Sequence, residues 1–405
     1  MSFKLGWIVY CLMFFMCLSL FSSEEDSFRL GLWVPCEGEN QTLTTPEKII
    51  SMLDFAKDLG VTDVFLQVYR RNHAWFSINP GLANDSPYQS IVSVTKTDPV
   101  RFAIDEARKR KIRIHAWLNI FWLGPDGDLP ILKIYGHGIL TRDQKGRLIS
   151  DYPDERIPPP EGPLYSLGEG GYWLEPGDDR VQKHLINIFR NLLEKYPGLS
   201  GIHLDYFRYP YTSPYLYGSY YTFNRGIEYG YGARSLERFK RVTRLDPMAM
   251  ERTSENHLKW DQWRRDEITK LAAELEALAK KKDPAMEVSA AVVPYPERSY
   301  FAAFQDWLSW ARRGDIDFVA TMTYTLDPVL AENLTAMAMG LAEKGHVWIG
   351  LGAYLFENRG LEFKQEFDLV REHGPSGIIL FSYDSLIRQK NVVDELKKSL
   401  RKSKD

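Results

Sequence analysis

The sequence predicts an α/β fold, a single (β/α)8 barrel of the TIM type, on three observations. Eight short β-rich apolar runs recur along the chain, at 28–35, 63–68, 112–118, 201–205, 287–293, 318–323, 347–351 and 377–382. Each is a brief run rather than a long alternation, as expected of strands buried on both faces. Helix-type segments separate them, and eight β-then-α units close a parallel sheet into a barrel. The alternative, an open doubly wound sheet, loses its usual nucleotide rationale because no Gly-rich phosphate turn follows the first run.

The helices can be placed in order. Thr45-Pro46-Glu47 supplies an N-cap and a proline at the first turn, and Gly60 after Leu59 supplies a stop. Asp98-Pro99 opens the second helix, which closes on the cations Arg108 to Lys111. The third covers 178–195 and the fourth, the longest, 257–282. Helices at 299–313, 328–344, 360–373 and 385–400 complete eight. Two connections are far longer than simple loops: 119–177 after strand 3 and 206–256 after strand 4. Both follow strand C-termini, the end where barrel enzymes work, and loops of this length usually carry function.

Composition narrows the class. The 405 residues are 44% hydrophobic and 26% charged, which excludes a mainly disordered or collagen-like chain. The formal net charge of -3 gives no support for a nucleic-acid partner. Residues 1–23 hold one charge, Lys4, before an apolar run from Leu5 to Phe21, and read as a cleaved signal peptide or an N-terminal anchor. The protein is then exported (periplasmic, envelope or extracellular), with 24–405 as one catalytic domain and a membrane contact only if that segment stays uncleaved. Cys11 and Cys17 lie in that segment, so Cys36 is left without a disulfide partner and reads as a packed or rim thiol.

Strand ends supply the candidate site. Strand 2 offers Gln67, Tyr69 and Arg70. Strand 3 offers His115, Trp117 and Asn119, and strand 4 offers His203 and Asp205, followed by Tyr206 and Arg208. Tyr324 and Asp327 follow strand 6, Glu357 follows strand 7, and Tyr383 and Asp384 follow strand 8. The chain carries 11 Trp, 22 Tyr and 21 Phe, and Trp and Tyr recur at these ends. Such rings stack on the apolar faces of pyranoses while their N–H and O–H groups meet hydroxyls, so a carbohydrate partner is expected. Residues 206–231 hold nine tyrosines, an aromatic-rich loop or a glycan surface.

Asp205 is the sharpest residue. A carboxylate at the end of a buried strand is costly to desolvate unless it has partners or a task. It reads as catalytic, or as one half of a salt bridge with Arg208. Glycoside cleavage normally needs a second carboxylate, and Asp327, Glu357, Asp384 and Glu297 compete for that role. Asp327 before Pro328, and Asp384 before Ser385, could equally cap helices. Glu175 before Pro176-Gly177 reads as a turn residue. The 8 histidines form no spaced ligand pair, so neither metal nor cofactor is expected; His115 and His203 read as a polar layer or as substrate contacts.

Several passages together resemble the glycosyl-hydrolase-like family 10 proteins. They are Phe28–Val34, Val64–Arg70, Ile114-His115-Ala116-Trp117-Leu118-Asn119, Trp173-Leu174-Glu175-Pro176-Gly177 and the stretch from Gly201 to Pro210, with Gly377–Leu386 similar to the last strand. The resemblance implies a (β/α)8 barrel acting on polysaccharide, with Asp205 as the catalytic carboxylate. The wider set of retaining α-glycosidases that it is similar to implies an acid/base near strand 6, which favours Asp327 over Glu357. Three departures bear on substrate and second carboxylate: Arg71-Asn72-His73-Ala74, Glu175, and Tyr206 after Asp205. The expectation is a secreted or envelope glycoside hydrolase, retaining or inverting. The alternatives are a non-catalytic carbohydrate-binding barrel and a metal-dependent glycan deacetylase using His115 and His203.

Overall fold

The structure is a computed structural model that describes residues 28–152, 165–167, 170–214, 227–251, 253–342 and 346–401. The expected signal or anchor segment lies outside the described residues. So do four of the nine loop tyrosines, Tyr215, Tyr217, Tyr220 and Tyr221.

Eight parallel strands form a closed ring: β1 (Arg29–Val34), β2 (Asp63–Arg70), β3 (Arg113–Asn119), β4 (Gly201–Asp205), β5 (Glu287–Val292), β6 (Phe318–Thr323), β7 (Val347–Gly352) and β8 (Gly377–Phe381). Each pairs with the next in chain order, and β8 pairs with β1. Their helices are α1 (Pro46–Leu59), α2 (Pro99–Lys109), α3 (Asp179–Lys195), α4 (Ser254–Lys282), α5 (Trp307–Arg313), α6 (Pro328–Leu341), α7 (Gly360–Glu372) and α8 (Lys390–Arg401). The (β/α)8 barrel expected from the alternation is the observed fold.

Local chemistry sets the helix ends. Thr45 accepts from the Lys48 N–H and Asp98 from the Arg101 N–H, while Gly60 takes φ 81 to end α1. Two expected helices are each split. The 299–313 segment breaks because Phe304 adopts φ 51, after which Asp306 caps α5. The 385–400 segment divides into Tyr383–Leu386 and α8. A helix at Ser86–Thr95 was not anticipated; its Ser, Val and Thr content hides it.

Much of the aromatic excess fills the barrel. Trp33, Phe65, Trp117, Phe318 and Trp348 form one buried interior cluster with Ala320 and Ile379. Phe318 stacks on Trp348 at 4.8 Å, and Phe65 meets Trp348 edge-on at 6.0 Å. Burying each ring contributes roughly 2–3 kcal/mol. Two glycines make room. A Cβ on Gly350 would lie 2.6 Å from the Trp33 ring, and one on Gly377 would lie 2.4 Å from that of Trp348.

The N-terminal end of the barrel is sealed by charge. Arg29 of β1 bridges Asp63 of β2 at 2.5 Å and Glu287 of β5 at 2.6 Å. Arg113 reaches Asp63 at 3.0 Å, and His115 Nε2 lies 2.9 Å from the same carboxylate. Burial would raise the Asp63 carboxyl, but His115 and then Arg29 outweigh it and hold the group well below the usual carboxylate range. Glu287 is lowered in the same way by Arg29, His115 and Arg113.

Candidate functional site

A cavity of about 440 Å³ opens at the C-terminal ends of the strands, within the usual range for ligand sites. Trp33 and Trp117 line it from the interior cluster, and Phe381 and Tyr324 pack against that cluster. Asp205 sits at the end of β4 with 8% of its surface exposed. Its Oδ2 accepts the Trp117 indole N–H at 3.0 Å, and its Oδ1 accepts the Tyr206 backbone N–H at 2.7 Å. Two N–H donors present the carboxylate as an acceptor, the arrangement of a nucleophile or base rather than of a proton donor.

The turn after Asp205 is strained. Tyr206 takes φ 50, a left-handed conformation costing about 1 kcal/mol for a residue with a Cβ. Its ring offsets that cost by stacking on Trp122 at 5.0 Å and meeting Trp173 edge-on at 5.5 Å. Both rings come from the first insertion. Arg208 then lies over Trp173, Tyr206 and Tyr211 at 5.1, 5.3 and 5.0 Å, and donates to the Tyr209 carbonyl at 3.3 Å. Behind this wall, buried Glu175 accepts from the Tyr209 hydroxyl at 3.0 Å and from the Gly232 N–H at 3.1 Å. It fastens the two long insertions together, which is more than a turn residue does.

A fixed relay orients Asn119. The Cys36 N–H is an obligate donor, and it lies 3.3 Å from Gln67 Oε1, as does the Cys36 thiol. Burial, then the charge of Glu37, pushes the thiol well above its ordinary range, so it stays a donor. The Gln67 amide nitrogen therefore faces Asn119 and donates to its Oδ1 at 3.1 Å. The amide nitrogen of Asn119 is left as the polar group this residue offers to the cavity. Asn119 pairs in register with Asp205 across β3 and β4.

The structure brings together Asp205, Arg70, Trp117, Asn119, Tyr206, Arg208 and Tyr324 in the cavity lining. Burial, with the Asp205 charge next, pushes the Tyr324 phenol well above its ordinary value. Six expected site residues lie elsewhere. His115 faces the opposite end of the barrel, bound to Asp63, because its position on β3 is nearer the N-terminal end. His203 is buried, accepting the Trp33 indole N–H at 3.1 Å while its Nδ1 lies 2.9 Å from Ser289 Oγ. Burial and then His115 hold it well below the ordinary histidine value. The Phe65 ring packs against both imidazoles, at 4.7 and 4.8 Å, and their nitrogens do not converge as a ligand pair would.

Asp327 is exposed and caps α6, accepting from the Val329 and Leu330 N–H groups at 3.0 and 3.3 Å. Glu357 is exposed beyond β7 and outside the lining. Tyr383 turns back into the core, edge-on to Phe55 at 5.5 Å. Asp384 is buried against the Gly38 backbone, where burial raises its carboxyl. Asp205 is thus the carboxylate of the lining among the described residues.

Sequence reasoning did not select Phe381 and Arg298, which also line the cavity. Phe381 ends β8, where the polar residues after it drew attention instead. Arg298 lies in the first turn of the Pro296–Phe301 helix, directly after the β5 end. One group of described residues, Asp63, His115 and Glu287, has metal-ligand spacing. The Arg29 guanidinium already bridges its two carboxylates, which suits an ion-pair hub and not a cation site.

The chain is similar to proteins with carbohydrate-active descriptions. It is 20% identical over 338 residues to glycosyl hydrolase YngK of Bacillus subtilis, covering 77% of this chain and 56% of that protein. It is 23% identical over 171 residues to glycosyl hydrolase DigH of Escherichia coli, covering 40% of this chain and 34% of that one. The chain therefore spans about half, or less, of the length of these curated relatives. Among solved structures, the catalytic domain of a β-amylase from Paenibacillus polymyxa shares the fold with a TM-score of 0.58 at 12% identity, over 93% of this chain and 99% of that one. The β-galactosidase Gan42B of G. stearothermophilus does so with a TM-score of 0.59 at 12% identity, over 93% and 57%. The sequence profile described as Glycosyl hydrolase-like 10 matches residues 29–347, from the first residue of β1 to the first residue of β7. With that match running through most of the barrel, the chain belongs to the glycosyl hydrolase-like 10 family.

Proposed function

We propose that this protein is an exported glycoside hydrolase that cleaves a polysaccharide or oligosaccharide, with Asp205 as its catalytic carboxylate. The carrying observation is Asp205 itself: a strand-end carboxylate, held by two N–H donors, at the wall of an aromatic-lined cavity. In the reading that suits this geometry, a carboxylate oxygen attacks the anomeric carbon. The bond to the leaving oxygen breaks as that oxygen takes a proton from a general acid, and water then hydrolyses the glycosyl ester. Trp33 and Tyr324 supply apolar walls, and the Asn119 amide supplies a hydroxyl partner close to Asp205. Export rests on the apolar segment at 1–23. Among the described residues, no helix is long and apolar enough to cross a membrane.

One observation favours a second reading. Asp327 and Glu357, the sequence candidates for a second carboxylate, do not line the cavity, so a carbohydrate-binding barrel without turnover also fits. Incubation of a glycan library with wild type and Asp205→Asn separates the two. Catalysis predicts new reducing ends from wild type and none from the variant. Retained glycan binding with no cleavage by either protein would establish the binding module.

A further inference from the structure

We propose that Trp117 is a positioning residue for Asp205, its indole N–H fixing the rotation of the carboxylate that attacks the anomeric carbon; this rests on the hydrolase reading above. Its place near a strand end suggests a sugar platform instead, but its surroundings do not. The side chain is 5% exposed, and only its rim reaches the cavity. Its ring belongs to the interior cluster with Trp33, Phe65, Phe318 and Trp348, and Phe381 meets it edge-on at 6.4 Å. A ring so enclosed has little face left for a pyranose. What remains is its N–H.

The direction of that bond is fixed. An indole nitrogen donates and cannot accept, so Asp205 Oδ2 is the acceptor at 3.0 Å. Oδ1 accepts the Tyr206 N–H at 2.7 Å. The two donors differ in origin. Tyr206 follows Asp205 in the chain, so its N–H turns with the same backbone. Trp117 belongs to β3, and the packed interior holds its ring. It pairs in register with His203, so its indole reaches up one layer to Asp205 and ties the carboxylate to a frame outside its own strand. Protonation of an oxygen that accepts an N–H weakens the bond, so this donor also favours the ionised form that a nucleophile needs. The layer below repeats the pattern without a charge. His203, two residues earlier on the same face of β4, accepts the Trp33 indole N–H at 3.1 Å. Successive inward positions of β4 thus hold an indole from β1 and an indole from β3, and the upper acceptor is the carboxylate.

Two variants of the full-length protein test this. Trp117→Phe keeps a ring in the cluster and removes the donor. Replacement of Trp117 by benzothienylalanine, with sulfur in place of the indole N–H, keeps nearly the whole volume if the smaller ring fails to fold. On a glycan that wild type cleaves, each should lose about ten- to a hundredfold in kcat, with KM changed by less than about threefold. The acid limb of kcat/KM should move up by about one pH unit, because the charged carboxylate loses a donor. Both variants keep the other charged and titratable groups of the described lining, Arg70, Arg208, Arg298, Tyr206, Tyr211, Tyr295 and Tyr324, and His203 one layer below. Trp33→Phe, which removes the indole of that lower layer, should leave the acid limb where wild type has it. Nitrogen–proton NMR of the indoles follows the same contact without turnover: the Trp117 signal should shift as acid titrates Asp205, and shift again in Asp205→Asn. An unchanged kcat and acid limb, a loss confined to KM, an equal shift in Trp33→Phe, or a Trp117 signal indifferent to Asp205 would each overturn the inference and leave the hydrolase reading intact. Wild type that cleaves no glycan would overturn both.

Discussion

Asp63 and Asp205 are the same residue type, both almost fully buried, at opposite ends of one barrel. Asp63 opens β2 and is enclosed by Arg29, Arg113 and His115, with no surface exposed. Asp205 closes β4, meets two N–H donors and borders a cavity. The first has its charge met by side chains that share its burial. The second is oriented by backbone and indole N–H groups at a cavity wall. Burial alone therefore does not separate the two carboxylates; what differs is that Asp205 borders open volume while Asp63 has no exposed surface.

The sharpest way to break the comparison is to remove each charge in turn. Asp205→Asn should lower glycan cleavage by about a thousandfold or more while leaving the unfolding midpoint near that of wild type. Asp63→Asn should do the reverse, costing about 3–5 kcal/mol in denaturant unfolding because it strands buried cations. If Asp205→Asn instead cost about 3–5 kcal/mol of stability while the folded variant kept its turnover, the two ends would have exchanged roles.

Acid titration sharpens the sealed end. Asp63 and Glu287 are held below their ordinary carboxylate values, so in the unfolded chain they take up protons first. Their contribution is complete above the unfolded values near pH 4 and is lost as pH falls below them. The melting temperature of wild type should drop over that acid range more steeply than that of Asp63→Asn, by an amount equivalent to about 2 kcal/mol.

Glu366 of α7 is a third case, with no hydrogen-bond partner among the described residues and no place in the lining of the cavity beside Asp205. It is buried, and both oxygens lack a hydrogen-bond partner. Burial, then the charge of Asp327, pushes it up to about 8. The folded state holds this proton more tightly than the unfolded chain, so stability declines as pH rises from about 4.5 to about 8 and levels off beyond. Glu366→Gln should remove that decline and gain about 1–3 kcal/mol at pH 9 relative to wild type, with little change at pH 4.5. Unfolding curves at the two pH values would check it.

The smallest effect concerns the relay at the open end. Gln67→Met keeps the volume but frees Asn119 to turn. It should cost about tenfold in kcat with less than about 1.5 kcal/mol of stability, and Cys36→Ala should cost less than either figure. An unchanged kcat in Gln67→Met would show that the relay does not position Asn119.

The barrel was legible because strands covered on both faces leave eight apolar runs that no helix period explains. Asp205 was legible because a carboxylate ending such a run stands out. What failed was the step from strand end to cavity. His115 and His203 occupy strands that reach the site, yet residues lower on a strand face the interior or its base. Asp327 and Asp384 lie just past strand ends, where helix capping and the return of the chain into the core take the side chain away. Arg298 was hidden for the converse reason: its helix starts at the rim. The relay through Cys36, Gln67 and Asn119 joins the turn after β1 to β2 and β3 and leaves no spacing to read in one dimension.

Arg29 stands at the start of the first strand and its partner Glu287 at the start of the fifth, 258 residues later. During synthesis, the base of the barrel cannot be fastened until more than half of the chain has emerged, because the anion that completes it has not yet been made. Until then β4 has no β5 beside it. Contacts this distant in sequence slow assembly. The ionic seal at the base thus also acts as a latch, closing only when the fifth strand arrives.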